Sequence, residues 1–501
     1  MRSRTAPEDA WAPRLAQEAQ LADLDAVLAS RAIDDEFVDR FVERASLLGA
    51  LGRFDDAKSA FIAILRALPT HFSALNEFGA LLTRTGAIAA ACRVYAEAIQ
   101  HHPDNPIGHI NLANLLLRCS RYEEARQHYE AALRHDPDNA NAHQGLGAVL
   151  SDIGERAAAR LHFDRGFRHH AVSTLPFRGT VAPIPLLQLV SSGGGNIPAA
   201  LFLDDTVYQT SVVVADYLDP AAPLPPHHLI FNTIGDADLC KPALRTARRL
   251  VKRTAMPVLN PPAAVIRTGR LANARRLKAI PGVVTARTRA VARDVLAGPD
   301  GPSLVATCGF SFPLLLRSTG YHTGRHFLLV SAASDLAAAA ASLPGDELLV
   351  IAYLDARAGD GNARKYRVML VGGRLHPLHL AISNDWKVHY FTSAMAENAD
   401  HRLEEARFLE NMPAVLGDKA MTALEGIERM LGLDYAGVDF GLNANGDLLL
   451  FEANATMIVS RPDDDARWTY RRAAIDRIVE AVADLIRQKA HLGSMMMGAE
   501  R

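Results

Sequence analysis

Cysteine is scarce: Cys92, Cys119, Cys240 and Cys308 are the only four in 501 residues, and they lie too far apart for CxxC pairs or a dense disulfide framework. Buried, reduced thiols are the expectation. An excess of charge is also lacking. Fifty-four Lys and Arg stand against 56 Asp and Glu, so no global field draws the chain to nucleic acid or to an anionic membrane surface. No uninterrupted apolar stretch reaches the roughly 18 residues that a membrane span requires, and the stretch Met1 to Asp9 has no apolar signal-peptide core. The doublets His101/His102, His169/His170 and His227/His228 lack metal-ligand spacing, and no Ser-His-Asp or Cys-His constellation stands out. These absences predict a soluble, cytoplasmic protein that binds neither nucleic acid nor membrane. What is plentiful is apolar residue, 49% against 22% charged, enough for several cores and about three domains.

The first third repeats itself. Between residues 40 and 170 a 34-residue period brings Pro69, Pro103 and Pro137 into one phase. The same interval relates Ala57, Ala91, Ala125 and Ala159, the aromatics Phe61, Tyr95, Tyr129 and Phe163, and Leu48, Leu82, Leu116 and Leu150. Gly52, Gly86 and Gly154 share a phase in which Ser120 stands once. Each period reads as two amphipathic helices, turned at the glycine and closed at the proline, with the small alanine where the helices approach. The pattern resembles a tetratricopeptide array of four repeats, which implies a solenoid with a concave face for a peptide or protein partner. An array that only supports or dimerises the rest of the chain is the alternative.

Residues 171–184 carry the Pro, Gly and Thr of a linker. Beyond it, Leu186–Val190 reads as a buried strand ending in the turn Ser191–Asn196, whose glycines have the freedom to present backbone N–H groups to an anion or simply to turn the chain. Further strands are expected at Ala199–Leu203, His228–Asn232 and Pro257–Leu259, with a helix over Lys241–Lys252. From about residue 301, Phe312–Arg317 is an apolar strand ending in a cation, followed by the glycine-bearing turn Ser318–His326 and a strand at Phe327–Val330. Glu347–Leu354 and Tyr366–Val371 read as a hairpin-like pair. Arg367, Lys387 and His389 alternate in a way that lets cations converge on one cleft.

The most informative stretch is Gly437–Asn454. It reads as a β-hairpin in which Glu452 and Asn454, two apart, share a face and Asp439 lies near the opposite position. Three hard oxygen donors on adjacent strands suit Mg²⁺, which takes a few protein oxygens and completes its shell with phosphate. Acids inside an apolar hairpin are costly without a cation.

With that hairpin in view, residues from about 186 to 485 resemble an ATP-grasp enzyme of the D-alanyl-D-alanine ligase, glutathione synthetase and glutamate-ligase group. The resemblance implies that Asp439, Glu452 and Asn454 hold Mg²⁺, that Arg317 and Arg270 stand where phosphate-binding lysines are usual, and that Ser318, Gly320 and Gly324 belong to the loop over the phosphates. It implies that Val350–Leu354, with Tyr353 and Leu354, meets adenine, Ile351 standing where an acid is common. Lys365 stands where a ribose-binding acid is often found, leaving Asp355 or Asp360 for that part. Gly437 replaces an arginine that polarises the acyl phosphate, so Arg367 or Lys387 would stabilise the developing charge.

The implied fold class is multidomain: an all-α tetratricopeptide solenoid, an α/β pre-ATP-grasp domain and an α+β ATP-grasp domain. The expected segments are a helical cap at 1–36, repeats at 37–170, the linker at 171–184, the α/β domain at 185–300, the catalytic domain at 301–487 and a tail at 488–501. The implied reaction is ATP- and Mg²⁺-dependent formation of a C–N bond through an acyl phosphate. Its substrates would be a docked peptide or protein, or a small carboxylate and amine, and a homodimer is compatible. An inactive nucleotide-binding adaptor and a small-molecule kinase are the alternatives.

Overall fold

The computed structural model describes residues 12–219, 221–319, 321, 325–388, 390, 393–462 and 465–499. The chain forms two compact units. The first takes the residues up to Leu186 together with Asp204–Pro226; the second takes Leu187–Leu203 and the residues from His227 onward.

Among the described residues, nine helices make up most of the first unit: α1 (Ala12–Leu28), α2 (Val38–Ala50), α3 (Phe54–Ala67), α4 (Phe72–Arg84), α5 (Ile88–His101), α6 (Pro106–Arg118), α7 (Tyr122–His135), α8 (Ala140–Ile153) and α9 (Arg156–Gly166). From α2 to α9 they form four helical hairpins at the 34-residue period. The in-phase alanines and aromatics all lie in one continuous core, Ala57, Ala91 and Ala125 wholly buried and Phe61, Tyr95, Tyr129 and Phe163 nearly so. Packing there is tight enough to forbid a side chain at Gly79 or Gly147, where a Cβ would lie 2.5 Å from the Tyr95 ring and 2.6 Å from the Phe163 ring. The side chains of His71, Asn105 and Asn139 accept backbone N–H bonds at the starts of α4, α6 and α8.

The turn between the two helices of each repeat needs a left-handed residue. Gly52, Gly86 and Gly154 have φ of 81°, 80° and 94°, and Ser120 occupies the same place at φ 58°. The left-handed region costs an L-residue roughly 1–2 kcal/mol, partly offset by the entropy glycine loses on folding. Ser120→Gly should therefore stabilise the array by about 0.5–1 kcal/mol in chemical denaturation.

Residues 172–174, expected within a linker, form strand β1 (Val172–Thr174), and β2 (Ile184–Val190) carries the chain into the second unit. β1 pairs antiparallel with β3 (Tyr208–Val214). Ala199–Leu201, expected as a strand, is a single 3₁₀ turn after Pro198, a run too short and too close to proline to join a sheet. β4 (Leu229–Asn232) lies beside β2 and pairs in parallel with β5 (Val258–Leu259).

Two antiparallel-dominated sheets complete the second unit. They are built from β6 (Val283–Thr285), β7 (Thr288–Ala292), β8 (Leu314–Ser318), β9 (Phe327–Val330), β10 (Glu347–Ala352), β11 (Ala363–Val371), β12 (Arg374–Ser383), β13 (Tyr435–Leu442) and β14 (Leu448–Asn454). The first sheet runs β7-β10-β8-β9 and the second β12-β11-β13-β14-β6. β6 and β7 thus enter these sheets before residue 301. The segment after residue 487, expected as a tail, continues a helix that runs from Arg472 to Ala499.

β10 and β11 are not a hairpin. β10 pairs with β7 and β8, whereas β11 pairs with β12 and β13, and the polar segment between them carries the chain from one sheet to the other. Within that segment Arg357 closes on Asp355, and Arg364, at the start of β11, reaches back to Asp360. The expected hairpin at Gly437–Asn454 is present as β13–β14, with Asp439 opposite Glu452 and Gly437 opposite Asn454. Its entry is held by Asn260, whose side chain bonds both Tyr435 N and Tyr435 O at 2.8 Å.

Candidate functional site

One row of side chains crosses the second sheet. His379 on β12 is opposite Arg367 on β11, Arg367 is opposite Asp439 on β13, and Asp439 is opposite Glu452 on β14. Directly opposed residues share a face, so all four point into the same cleft over three strand spacings, roughly 14 Å. A β-bulge adjoins the row on two ladders: Leu378 is the extra residue between the Arg367–His379 and Val368–Pro377 pairs, and Phe451 between the Asp439–Glu452 and Phe440–Leu450 pairs. Bulges re-aim the side chains next to them. Here they put two apolar residues into the cleft beside the charged row.

The cleft encloses about 730 Å³ and is lined by Arg270, Arg317, Arg367, Lys387, Tyr353, Leu354, Asp439, Glu452 and Asn454, a size typical of small-molecule sites. Those nine of the twelve residues singled out from the sequence come together. Ser318 does not: its hydroxyl is buried and donates to Pro344 O at 2.7 Å. Gly320 and Gly324, like His389, lie outside the described residues. Asp355 and Asp360 are turned into their own loop by Arg357 and Arg364 and do not line the cleft.

The acids are held as anions. Arg367 donates to Asp439 through Nε at 2.5 Å and Nη2 at 2.8 Å, and Lys365 Nζ lies 3.3 Å away. Burial alone would push the Asp439 carboxyl up, but Arg367 and Lys365 hold it well below the usual range. Arg270 Nη2 meets Glu452 Oε1 at 2.5 Å. Burial opposes ionisation of Glu452 too, and Arg270 and Arg317 overcome it. Asn454 Nδ2 donates to Glu452 Oε1 at 2.8 Å, while its Oδ1 accepts from Thr456 N and Oγ1. In this arrangement Asn454 orients Glu452 and spends both its oxygen lone pairs on the turn.

Arg317 is different. It is buried, lies over the Phe327 ring, donates to Tyr321 O at 2.7 Å and makes no ion pair with any described carboxylate. Burial first, and then the neighbouring Arg270, pull it down to about 10. A buried guanidinium in that state is set up to receive an anion.

Around this charged floor the walls are apolar. Leu315, Phe327, Leu450 and Trp386 line the cleft, as do Ile351–Leu354, which leave β10 at the crossing between sheets. The glycine turn contributes Gly195 and Asn196. Gly195 has φ 66°, and a Cβ there would lie 2.8 Å from Asp236 and from the Cys240 sulfur. Eight cations of the described residues line the cleft, among them Arg270, Arg317, Lys365, Arg367 and Lys387 on its floor, against two acids, Asp439 and Glu452, so the floor carries a positive excess suited to a polyanion. Among the described residues no group of three or more His, Cys, Asp or Glu forms a metal cage. Two carboxylates side by side fit instead a hard divalent cation whose remaining oxygens come with a phosphate ligand.

Sequence reasoning missed a second cluster, two of whose members, Tyr390 and Arg471, line the same cleft. Glu405 is wholly buried and receives Tyr390 Oη at 3.1 Å and Tyr470 Oη at 2.5 Å, with Arg471 Nε at 3.4 Å. Burial raises its carboxyl above the usual range. These residues come from helices and irregular chain, and no period or motif marks them.

Models of the tetratricopeptide repeat match residues 42–106, 94–127 and 113–154. Residues 42–154 are tetratricopeptide repeats. Together with the helical hairpins they make the helical part of the first unit, α2 to α9, a solenoid of the kind that mediates protein–protein interaction. Solved structures similar to this part include MamA from Desulfovibrio magneticus RS-1, 22% identical over 30% of this chain and 85% of its own, with a TM-score of 0.27. YrrB, described as a tetratricopeptide protein with an unusual peptide-binding site, is 18% identical over 30% of this chain and 77% of its own, at 0.26. No curated protein matches the chain.

Proposed function

We propose that the second unit is an ATP-grasp-type ligase that joins a carboxylate to an amine at the expense of ATP. The observation that carries this reading is the row Arg367–Asp439–Glu452 with Arg270 and Arg317 beside it, set under an apolar wall at the crossing between two sheets. On this reading the apolar wall at Ile351–Leu354 and Phe327 takes the adenine, and the arginines take the phosphates. Asp439 and Glu452 would hold Mg²⁺, with Asn454 orienting Glu452; bound there, the ion would neutralise phosphate charge. The chain's own part is to position the donor carboxylate against the γ-phosphoryl group and to stabilise the transferring charge through Arg367 and Lys387. The amine then displaces phosphate from the acyl phosphate, and no protein nucleophile is required.

The repeats support delivery of a peptide or protein substrate to such a site. An adaptor that binds nucleotide without turnover is favoured by one observation: Asp439 and Glu452 are already neutralised by Arg367, Lys365 and Arg270. Calorimetry of ATP with and without Mg²⁺ separates these readings. The ligase predicts Mg²⁺-dependent binding weakened at least about tenfold by Glu452→Ala, as expected for loss of one charged contact, and ADP release only with an acceptor present. Binding without turnover in peptide and amino-acid pools favours the adaptor, and no nucleotide binding removes both.

A further inference from the structure

The row across the second sheet has two unlike ends. At the β14 end stand Glu452, Arg270 and Arg317, the groups assigned above to the phosphates. At the β12 end stand His379, Tyr390, Trp468 and Arg471, which also line the cleft. Two strand spacings, roughly 10 Å, separate β12 from Asp439 on β13, the reach of about three extended residues.

Arg471 is the unusual member. The residue is 9% exposed, and its guanidinium sits 4.2 Å over the Tyr390 ring. Its ion-pair partner is Glu405, at 3.4 Å from Nε, yet that Nε makes no hydrogen bond. Glu405 directs its Oε2 instead to Tyr390 and Tyr470. His379, also buried, has an Nδ1 without a hydrogen-bond partner. Leaving buried donors and acceptors unmet is costly, and the two side chains that carry them line one end of a cleft bounded by aromatic rings. A planar, carboxylate-sized anion satisfies a guanidinium fork best, and Trp468 and Tyr390, with ring centroids 6.2 Å apart, offer an apolar wall to the body that carries it.

We propose that the β12 end of the cleft is the subsite for the acceptor, an amine of amino-acid or dipeptide size whose own unreacted carboxylate is held by Arg471 beneath Tyr390 and Trp468. This rests on the ligase reading above, since the acceptor's amine must then face the phosphate end. The free carboxylate is a handle: it fixes orientation, takes no part in bond making, and excludes amines that lack it. Glu405 is a positioning residue, holding Tyr390 and Arg471 from below.

The test uses the full chain and two probes of one shape, 3-phenylpropionate and 3-phenylpropionamide, titrated by calorimetry in the presence of Mg²⁺ and a non-hydrolysable ATP analogue. Nucleotide binding is measured first, so that failure of the ligase reading is seen separately. The carboxylate should bind at least about tenfold more tightly than the amide, the worth of one charge-assisted contact. Because Arg471→Met alone would strand Glu405, the paired variant Arg471→Met/Glu405→Gln is the comparison. It should bring the two probes within about twofold while leaving nucleotide binding unchanged. A purely structural Arg471 would alter the melting temperature and leave the preference intact, which overturns the proposal. So does equal binding of both probes, or binding of neither, by the unaltered nucleotide-loaded protein.

Discussion

Asp439→Ala should destabilise the second unit by about 3–5 kcal/mol, the usual result of stripping one partner from a buried ion pair. Asp439 is 4% exposed and its partner Arg367 half-buried to buried, joined to it by two hydrogen bonds, with Lys365 as a third member. Removing the carboxylate leaves Arg367 and Lys365, two apart on β11 and so on one face of the strand, side by side without their counter-charge. Desolvation then opposes both charges with nothing to offset it. The double variant Asp439→Leu/Arg367→Leu removes both main charges at once and should recover most of the loss, because well-packed apolar residues often replace such pairs at little cost. Urea unfolding followed by tryptophan fluorescence reads this directly, since Trp386 and Trp468 lie in the second unit. A single variant as stable as the parent would mean that water reaches Arg367. The double variant also tests function: folded, it should no longer bind nucleotide in a Mg²⁺-dependent way.

What could be read from the sequence was what is local. The repeats are legible because each recurs within 34 residues and its turn residue, left-handed at Gly52, Gly86, Gly154 and even Ser120, must come back in phase. β13 and β14 are legible because a short turn joins them and apolar runs flank the acids. Pairing over long separations was not. Nothing local tells β10 that its neighbour is β7, some 60 residues earlier, or β14 that it lies against β6; β10 and β11, adjacent in sequence, therefore read as a hairpin. The bulges at Leu378 and Phe451 were hidden for a related reason, since one extra residue breaks the period of two by which strand faces are read. Ser318 sits on a strand end where its hydroxyl finds Pro344, a partner 26 residues away. Arg471 and Glu405 meet only because a helix start packs near another helix and a sheet, and such encounters leave no mark in spacing.

Lowering the pH below about 6.5 should destabilise the repeat array before it affects anything that depends on carboxylates. Two histidine pairs recur at the repeat interval: His109 Nδ1 lies 3.0 Å from His128 Nδ1, and His143 Nδ1 lies 2.8 Å from His162 Nδ1. In each pair the other ring nitrogen of the first histidine meets a carbonyl, Pro103 O at 3.2 Å and Pro137 O at 2.9 Å. A carbonyl only accepts, so Nε2 carries the proton and Nδ1 of His109 or His143 must accept from its partner. A second proton on His109 turns its Nδ1 into a donor, so His128 must give up its own Nδ1 proton to keep the contact. Burial, with His135 and Arg134 adding to it, lowers His109 below the ordinary value; burial and His109 lower His128; burial, His143 and Arg165 lower His162. Groups depressed in the folded state contribute stability that is complete above the unfolded value and is lost as pH falls through it, because the unfolded chain then binds more protons. The slope for buried His109 is at most about 1.4 kcal/mol per pH unit, and half-exposed His128 and His162 add a screened fraction of that. Helical melts followed by circular dichroism between about pH 7.5 and 5.5 should show a falling midpoint. His128→Gln/His162→Gln, which keeps a donor opposite each buried ring and removes two titrating groups, should flatten that fall. An array whose midpoint does not move over this range would mean that the two pairs take up protons without separating.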